Sequence, residues 1–479
     1  MKEQTSHKMP EFLYLKLAEE VEGKIQTGNY RAGEKLPSLR NLHARTGLSI
    51  STVYQAYMEL EKKGIVEAKD KSGFFVKPPM GSLLPLPRFR KHPVKPRSPS
   101  VNIMAESIYS AISESDMLPL GAALPSPAIL PVKQLTNSSR AVAGEYLENG
   151  GIGYGPLTGV PELSRQIRNR AIGYIGDIDE EEIIVTNGCM EAIDLCLRSV
   201  AGPGDTIVVE SPSFVCYLQL IEDLNLMVLE APTDPDQGID LESLFKMVEQ
   251  HNVKACLLNP NFQNPLGYEM PRDRKKRLVE FLSEREIPLI EDDIYGDLYF
   301  GKSRPGTFKS FDQKGLVLYC SSFSKSLAPE LRIGWTIPGR FIDKVKRLKF
   351  NTSIATSKLN QLIIADFLKN GHYERHLRKF RNALQNQVSN TIMAIIRHFP
   401  ADTRISAPKG GFILWIELGR QVDGIDLFHN AKDKNIFILP GVLSSSCGQY
   451  KNCIRISCGY PWNDTMEEGI KTLGKLIST

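Results

Sequence analysis

Ser321-Ser322-Phe323-Ser324-Lys325-Ser326-Leu327-Ala328-Pro329-Glu330-Leu331-Arg332 sets one lysine in a run of hydroxyl residues, with an arginine seven positions on. An amine in that setting can condense with an aldehyde cofactor, while the hydroxyls and the guanidinium hold a phosphate. Taken alone, a lysine between serines is a surface lysine. Three further segments share its chemistry. Thr186-Asn187-Gly188-Cys189-Met190-Glu191 follows an apolar run and opens a helical pattern, so the backbone N–H groups of Gly188, Cys189 and Met190 can receive a phosphate at a helix amino terminus. Asn259-Pro260-Asn261-Phe262-Gln263-Asn264-Pro265-Leu266-Gly267 ends another run in a turn, which places Asn264 to donate to a phenolate oxygen. Glu291-Asp292-Asp293-Ile294-Tyr295 ends a third, where a carboxylate can pair with a protonated ring nitrogen and make the ring an electron sink. Singly, these read as a structural Asn-Pro turn and a solvated acidic edge. Together they converge on a phosphorylated pyridine aldehyde.

The runs that carry these segments predict the architecture around them. Glu182–Thr186, Thr206–Glu210, Ala255–Leu258 and Pro288–Glu291 are short, apolar and rich in β-branched residues, with helical patterns between them. That alternation predicts an α/β body with a mostly parallel, buried sheet, whose ligands bind at the carboxyl ends of the strands. At 479 residues the chain is too long for one core, so two or three domains are expected. No apolar run is long enough to span a bilayer and the first ten residues do not resemble a signal peptide. The eight cysteines form no C-x-x-C pair, which argues against structural zinc and for a reducing compartment; the cytoplasm is the expected location, and no metal site is expected.

The first eighty residues are of another kind. Leu13, Leu17, Val21 and Ile25 predict an amphipathic helix closed by Gly28. A second helix is expected to start at Pro37 or Ser38. A third, capped by Ser49, buries Val53, Ala56, Tyr57 and Leu60 at i, i+3, i+4 and i+7, which leaves Ser51, Thr52, Tyr54 and Gln55 pointing outward. Gly64–Ala68 and Gly73–Val76 predict a hairpin wing. This pattern fits a helix-turn-helix whose second helix enters a major groove, and also a three-helix packing unit with no nucleic-acid role. Charge leans toward the former: residues 1–100 hold 18 Lys and Arg against 10 Asp and Glu, and the remainder 41 against 45. Between head and body, residues 78–100 are rich in proline and basic side chains, with no acidic residue, and predict an extended, semi-rigid tether.

The residues carry resemblances beyond pattern. Gly28-x4-Gly33-x-Lys35-Leu36-Pro37-Ser38-x-Arg40, followed by Leu48-Ser49-x-Ser51-Thr52-Val53, resembles the winged helix of the GntR regulators. The resemblance implies that Arg40, Ser49, Ser51, Thr52 and Tyr54 face DNA and that Gly73 of the wing approaches the minor groove. Ile50 stands where many relatives carry arginine. The body resembles the fold-type I aminotransferases. That resemblance implies pyridoxal 5′-phosphate (PLP) joined to Lys325, with Asp292 at the ring nitrogen, Tyr295 and Asn264 at the phenolate, and Phe214 stacked on the ring. It further implies a phosphate cradle of Ser322, Arg332, Gly188, Cys189 and Met190, and Tyr154 donated across a dimer interface. Arg455, in Cys453-Ile454-Arg455-Ile456-Ser457, resembles the clamp for an amino acid's carboxylate. Leu266 replaces the more usual threonine of the Asn-Pro-Thr-Gly turn.

Joined, the halves are similar to the MocR-type subfamily of GntR regulators. The implied fold class is α/β: an N-terminal winged helix-turn-helix over residues 10–77, the linker 78–100, and a fold-type I transferase-like body over 101–479 with a smaller C-terminal α+β subdomain. The implied function is a homodimeric, PLP-dependent transcriptional regulator of a double-stranded operator. An amino-acid-like effector would modulate it by forming an external aldimine with the cofactor. Two other readings stay open on the residues: an active aminotransferase that retains a DNA-binding head, and a body that serves only as a dimerisation scaffold.

Overall fold

The computed structural model describes residues 12–26, 29–30, 34–62, 64–69, 72–76, 84–90, 95–113, 117–148, 151 and 153–478. Two compact units divide the chain, Met1–Leu83 and Leu84–Thr479.

In the first unit, helices α1 (Leu13–Gln26), α2 (Leu39–Thr46) and α3 (Ile50–Lys62) precede strands β1 (Val66–Lys69) and β2 (Gly73–Val76), which pair antiparallel. The expected closing glycine of α1, Gly28, lies outside the described residues. Ser38 caps α2, its Oγ accepting from Asn41 N at 3.2 Å, and Gly47 ends the helix at φ +70°, a conformation open to a residue without Cβ. Val53, Ala56, Tyr57 and Leu60 are all buried, together with Leu17, Val21, Leu42, Val66 and Val76. The wing gains a third edge that the sequence did not suggest: Leu36 N donates to Phe74 O and Val76 N to Glu34 O, so the residues before α2 lie alongside β2.

The second unit contains β3 (Ile184–Thr186), β4 (Thr206–Ser211), β5 (Met227–Asp234), β6 (Gly238–Ile239), β7 (Val253–Leu258), β8 (Leu289–Asp292), β9 (Val317–Ser322) and β10 (Gly334–Ile337). They form one sheet in the order β3-β10-β9-β8-β7-β4-β5-β6. The five strands from β9 to β5 are parallel neighbours. Along β4, Val208 packs against the helices Leu241–Gln250 and Arg272–Glu284, while Ile207 and Val209 pack against Cys189–Val200 and Val215–Asp223. Both faces are covered, which is why these strands read as unbroken apolar runs.

One expectation needs correction. The run at 182–186 was expected to be a parallel core strand, but Glu182 ends a short 3₁₀ turn and β3 pairs only with the antiparallel β10. A C-terminal subdomain adds a four-stranded antiparallel sheet of β11 (Arg404–Ile405), β12 (Ile413–Glu417), β13 (Leu439–Pro440) and β14 (Cys453–Ser457), in the order β11-β12-β14-β13.

Residues 78–83 and 91–94 of the expected tether lie outside the described residues. The rest is extended but is not apart from the body. Pro85 O accepts from Ile405 N, Arg88 N donates to Glu417 Oε2 at 2.7 Å, and Arg97 pairs with Val228 of β5. Proline removes donors but leaves every carbonyl, and buried Glu417 supplies a charge that the basic residues satisfy.

Candidate functional site

In the head, the polar face of α3 carries the candidate residues. Ser49 Oγ accepts from Thr52 N at 3.1 Å, which caps the helix, and lies 2.8 Å from both Ser51 Oγ and Thr52 Oγ1. Ser49, Ser51 and Arg40 are exposed, Thr52 is half-buried, and Tyr54 is exposed with its ring set edge-on to Phe74 of the wing at 6.4 Å. Gly73 sits at φ +98°, where a side chain is strained. The structure thus presents α3, α2 and the wing with their candidate residues outward.

In the body, the carboxyl ends of β4, β7, β8 and β9 surround a cleft of about 110 Å³. Of the residues named from the sequence, Cys189, Met190, Phe214, Asn264, Asp292, Tyr295, Lys325 and Arg332 line it. Gly188 caps the helix Cys189–Val200 at φ +87°, and the helix's first N–H groups have no intrahelical partners. Arg332 takes a left-handed backbone conformation (φ +53°) and sends Nη2 to Asn187 O at 3.1 Å. A Cβ on Gly188 would meet that guanidinium, the movable end of a side chain, so it is the φ of +87° rather than the close approach that calls for glycine. A cation and a helix amino terminus therefore share one corner of the cleft, a ready-made anion site.

Lys325 Nζ donates to Ala123 O at 2.8 Å. Burial, and then the charge of Arg455, lower its pKa to about 8, so a substantial neutral fraction exists near neutrality and the amine is nucleophilic. At the opposite end Asp292 accepts from the Tyr217 hydroxyl, from Ile294 N at 3.0 Å and from Cys189 Sγ at 3.5 Å. Burial raises its pKa to about 6 against these hydrogen bonds. A protonated ring nitrogen beside it would return the carboxylate to its charged form. Burial also holds the Tyr295 phenol well above its ordinary value, with Arg455 opposing the shift.

Arg455, on β14, is buried; Nη1 donates to Asn264 Oδ1 at 3.1 Å and Nη2 to Gly121 O at 2.7 Å. Its Nε has no partner. Segment 118–126 is stitched to the C-terminal subdomain, with Gly121 N donating to Phe437 O and Ser457 N to Leu120 O. It thereby lays two carbonyls, two residues apart, on the lysine and the arginine. Phe214 borders the cleft edge-on to Tyr217, with 5.3 Å between ring centroids.

Some residues stand differently from expectation. Ser322 does not line the cleft; its Oγ accepts from Ser324 N at 3.2 Å. The lining hydroxyl is Ser324, whose buried Oγ has no partner. Tyr154 is 86% exposed and is not part of this cleft within one chain. Tyr217, Asn259, Gly121 and Ala123 were missed. Tyr217 lies one helical turn beyond Phe214, a spacing that could have placed it on the same side of its helix.

The fit to a phosphorylated pyridine aldehyde can be tested on atoms with unmet demands. The buried Ser324 Oγ, Asn259 Oδ1 and Arg455 Nε all lack partners, and such atoms are costly in a finished core. They sit with an amine of lowered pKa, a buried carboxylate of raised pKa and an open helix amino terminus. The residues fit the group. Among the described residues no cluster of three or more His, Cys, Asp or Glu is placed to hold a metal, and no helix is long and apolar enough to cross a membrane.

Comparison with known proteins agrees with this geometry. Residues 132–473 match the family model for aminotransferase class I and II, and residues 13–76 match that for bacterial regulatory proteins of the gntR family. Over 472 residues the chain is 36% identical to a protein of Escherichia coli strain K12 named as an uncharacterized HTH-type transcriptional regulator, YjiR, covering 97% of this chain and 98% of the relative. The body is 28% identical over 365 residues to a 2-aminoadipate transaminase of Thermus thermophilus, covering 75% and 90% of the two chains. Among solved structures, the Pyrococcus horikoshii kynurenine aminotransferase complexed with PMP superposes with a TM-score of 0.71 and 28% identity, covering 78% and 94%.

Proposed function

Since the chain belongs to the MocR-type regulators, a gntR-family winged helix fused to a class I and II aminotransferase body, we propose that its operator binding responds to an amino acid-like effector received in the body's cleft. PLP is the cofactor of this fold family, and the cleft's residues fit it. When bound, it supplies an electrophilic aldehyde and an electron-withdrawing ring.

The protein's own part follows from the side chains. Lys325 offers a partly neutral amine for covalent attachment. Arg332, Ser324 and the helix amino terminus at Gly188 receive the phosphate, and Asp292, oriented by Tyr217, takes the ring nitrogen. Arg455 selects a carboxylate. The observation that carries the reading is that Lys325 and Arg455 are both held by carbonyls of one strap, Ala123 O and Gly121 O. An effector that brings an amine to the first position and a carboxylate to the second competes for both, and the strap must re-form its contacts. The binding energy for such a ligand then differs between two arrangements of the body, which is what coupling requires.

A route toward the linker exists on the same sheet. Arg455 of β14 pairs with Trp415 of β12, and two residues along, Cys453 pairs with Glu417. Glu417 takes the Arg90 guanidinium at 3.0 Å, and Arg90 also reaches Asn452 Oδ1 and lies over the Tyr450 ring. Exposed Tyr154 belongs, on this reading, to the cradle of a partner subunit in a homodimer.

The test is an electrophoretic mobility shift on the DNA upstream of the chain's own gene, with and without cofactor, across a panel of amino acids and the matching amines without a carboxylate. A change in operator affinity with amino acids and not with the amines supports the reading. Operator binding that no ligand alters, in cofactor-loaded protein, overturns it. A second reading, an active aminotransferase, is favoured by the intact lysine, carboxylate and arginine. Turnover of an amino acid with a keto acid would select it.

A further inference from the structure

Helix α3 bears no charged side chain in its first nine residues, Ile50 to Met58. A guanine is most often read by arginine or lysine, so this helix lacks the usual means of reading one. Its hydroxyls are also partly spent. Ser49 Oγ is committed to Thr52 N, and the Ser51 and Thr52 hydroxyls both turn back to Ser49 within 2.8 Å. What the outer face does offer is apolar. Ile50 is 45% exposed, Tyr54 47% and Met58 38%, at i, i+4 and i+8 along one side. A small, marginally stable domain gains nothing by leaving such a stripe in water, whereas Val53, Ala56, Tyr57 and Leu60 on the other side are fully withdrawn. Tyr54 is held in place by its edge contact with Phe74 of the wing.

Resting on the reading that the head binds duplex DNA, we propose that Ile50 is a specificity-determining residue that recognises the 5-methyl group of a thymine in the major groove. The first turn of a helix-turn-helix recognition helix is the part that reaches base edges, and Ile50 is its first residue. The thymine methyl is the one apolar group a base pair shows there, and an exposed branched aliphatic side chain is its complement. Gln55, also exposed, carries the amide that suits adenine, so the helix as a whole favours A·T pairs over G·C.

Replacing thymine by deoxyuracil removes that methyl and nothing else. Full-length, cofactor-loaded protein is used to select duplexes from a random pool, and each thymine of the selected site is then replaced singly. Burial of one methyl is worth about fourfold in affinity, so one position is expected to lose about that much. In Ile50→Ala, thymine and deoxyuracil should bind alike at that position, with other positions unchanged. Ile50→Arg should move the preferred base there toward guanine. Both substitutions are on an exposed side chain, so the fold is not at stake. A selected site that tolerates deoxyuracil everywhere overturns the proposal, as does an undiminished penalty in Ile50→Ala. Failure to select any duplex sinks the DNA reading itself and is thereby distinguishable.

Discussion

The head and the body treat polar groups in opposite ways. Among its described residues the head withdraws only apolar side chains and the Tyr57 ring, and it turns Arg40, Ser49, Ser51 and Tyr54 outward. The body draws Asp292, Arg455, Glu210, Glu291 and Lys275 almost wholly out of water, and Lys325 partly so. The difference follows from the ligands. A duplex is larger than the domain that binds it, so its site must be a surface, where many weak contacts add and no pKa need move. A small cofactor can be enclosed, and enclosure is what shifts Lys325 down to about 8 and Asp292 up to about 6. One unit therefore depends on the sum of its contacts, the other on single groups.

The sharpest way to break that contrast is Lys325→Ala. If the body's chemistry rests on one amine, covalent retention of the cofactor through desalting is abolished, and with it the visible band and any effector response. Duplex affinity without effector should stay within roughly threefold, because it is set by the head's phosphate contacts. A variant that keeps the wild-type band would place the attachment elsewhere.

In the head, loss of a single function-bearing side chain should matter less than loss of packing. Leu60 is fully buried between α1, α3 and the wing. Leu60→Ala is expected to cost about 2–5 kcal/mol, enough to unfold so small a core. Operator binding and a head-specific unfolding transition should disappear together while the cofactor band is unchanged. A band that is lost along with operator binding would show that the two units do not fold independently.

How much of this was legible in the sequence depends on whether the signal was a side chain. The buried face of α3, the Ser49 cap, the start of α2 at Pro37 or Ser38, and the strand-end setting of Asp292, Asn264 and Tyr295 were readable, because period and residue type are properties of the letters. The strap was not, because Gly121 and Ala123 act through carbonyls that every residue possesses. Ser322 and Ser324 look alike as letters, and only the backbone shows that it is the Ser324 Oγ that is left without a partner at the cleft. Nothing in the letters sets Tyr217 apart from a core aromatic. The antiparallel β10 beside β3 escaped notice because pairing direction leaves no trace in a short apolar run. The docking of Arg88 and Arg90 on Glu417 depends on a contact across more than 300 residues.

The altered amine also makes a prediction about stability. In cofactor-free protein, Lys325 folds with a pKa near 8 against an ordinary value of 10.5. The unfolded chain therefore binds more protons between those values, and stability rises with pH across that window. Below about pH 8 the penalty is fully present; above 10.5 it is gone. Lys325→Met should accordingly be more stable than the unsubstituted protein at pH 7, by at most about 3 kcal/mol, and the gap should close as pH rises from 8 to 10.5. Denaturant titrations at pH 7 and at 10.5 measure it. A gap that is constant with pH would mean that packing, not charge burial, separates the two.

The smallest expected effect lies where the two modes of construction meet. Glu417 is buried like the body's functional carboxylates, yet its partners, Arg88 and Arg90, belong to the stretch that leads from the head. It sits two residues from Trp415 on β12, as Cys453 sits two from Arg455 on β14, so Arg455 and the contacts of Glu417 with Arg88 and Arg90 share one pair of strands. Glu417→Gln keeps the shape and one acceptor oxygen while removing the charge that holds both arginines. If those contacts pass the state of Arg455 onward, the effector-induced change in operator affinity should shrink by about fivefold, or ~1 kcal/mol of coupling. The effector's spectral change at the cofactor should persist, because no atom of the cleft is altered. Loss of both signals would make Glu417 merely structural; loss of neither would send the coupling by another path.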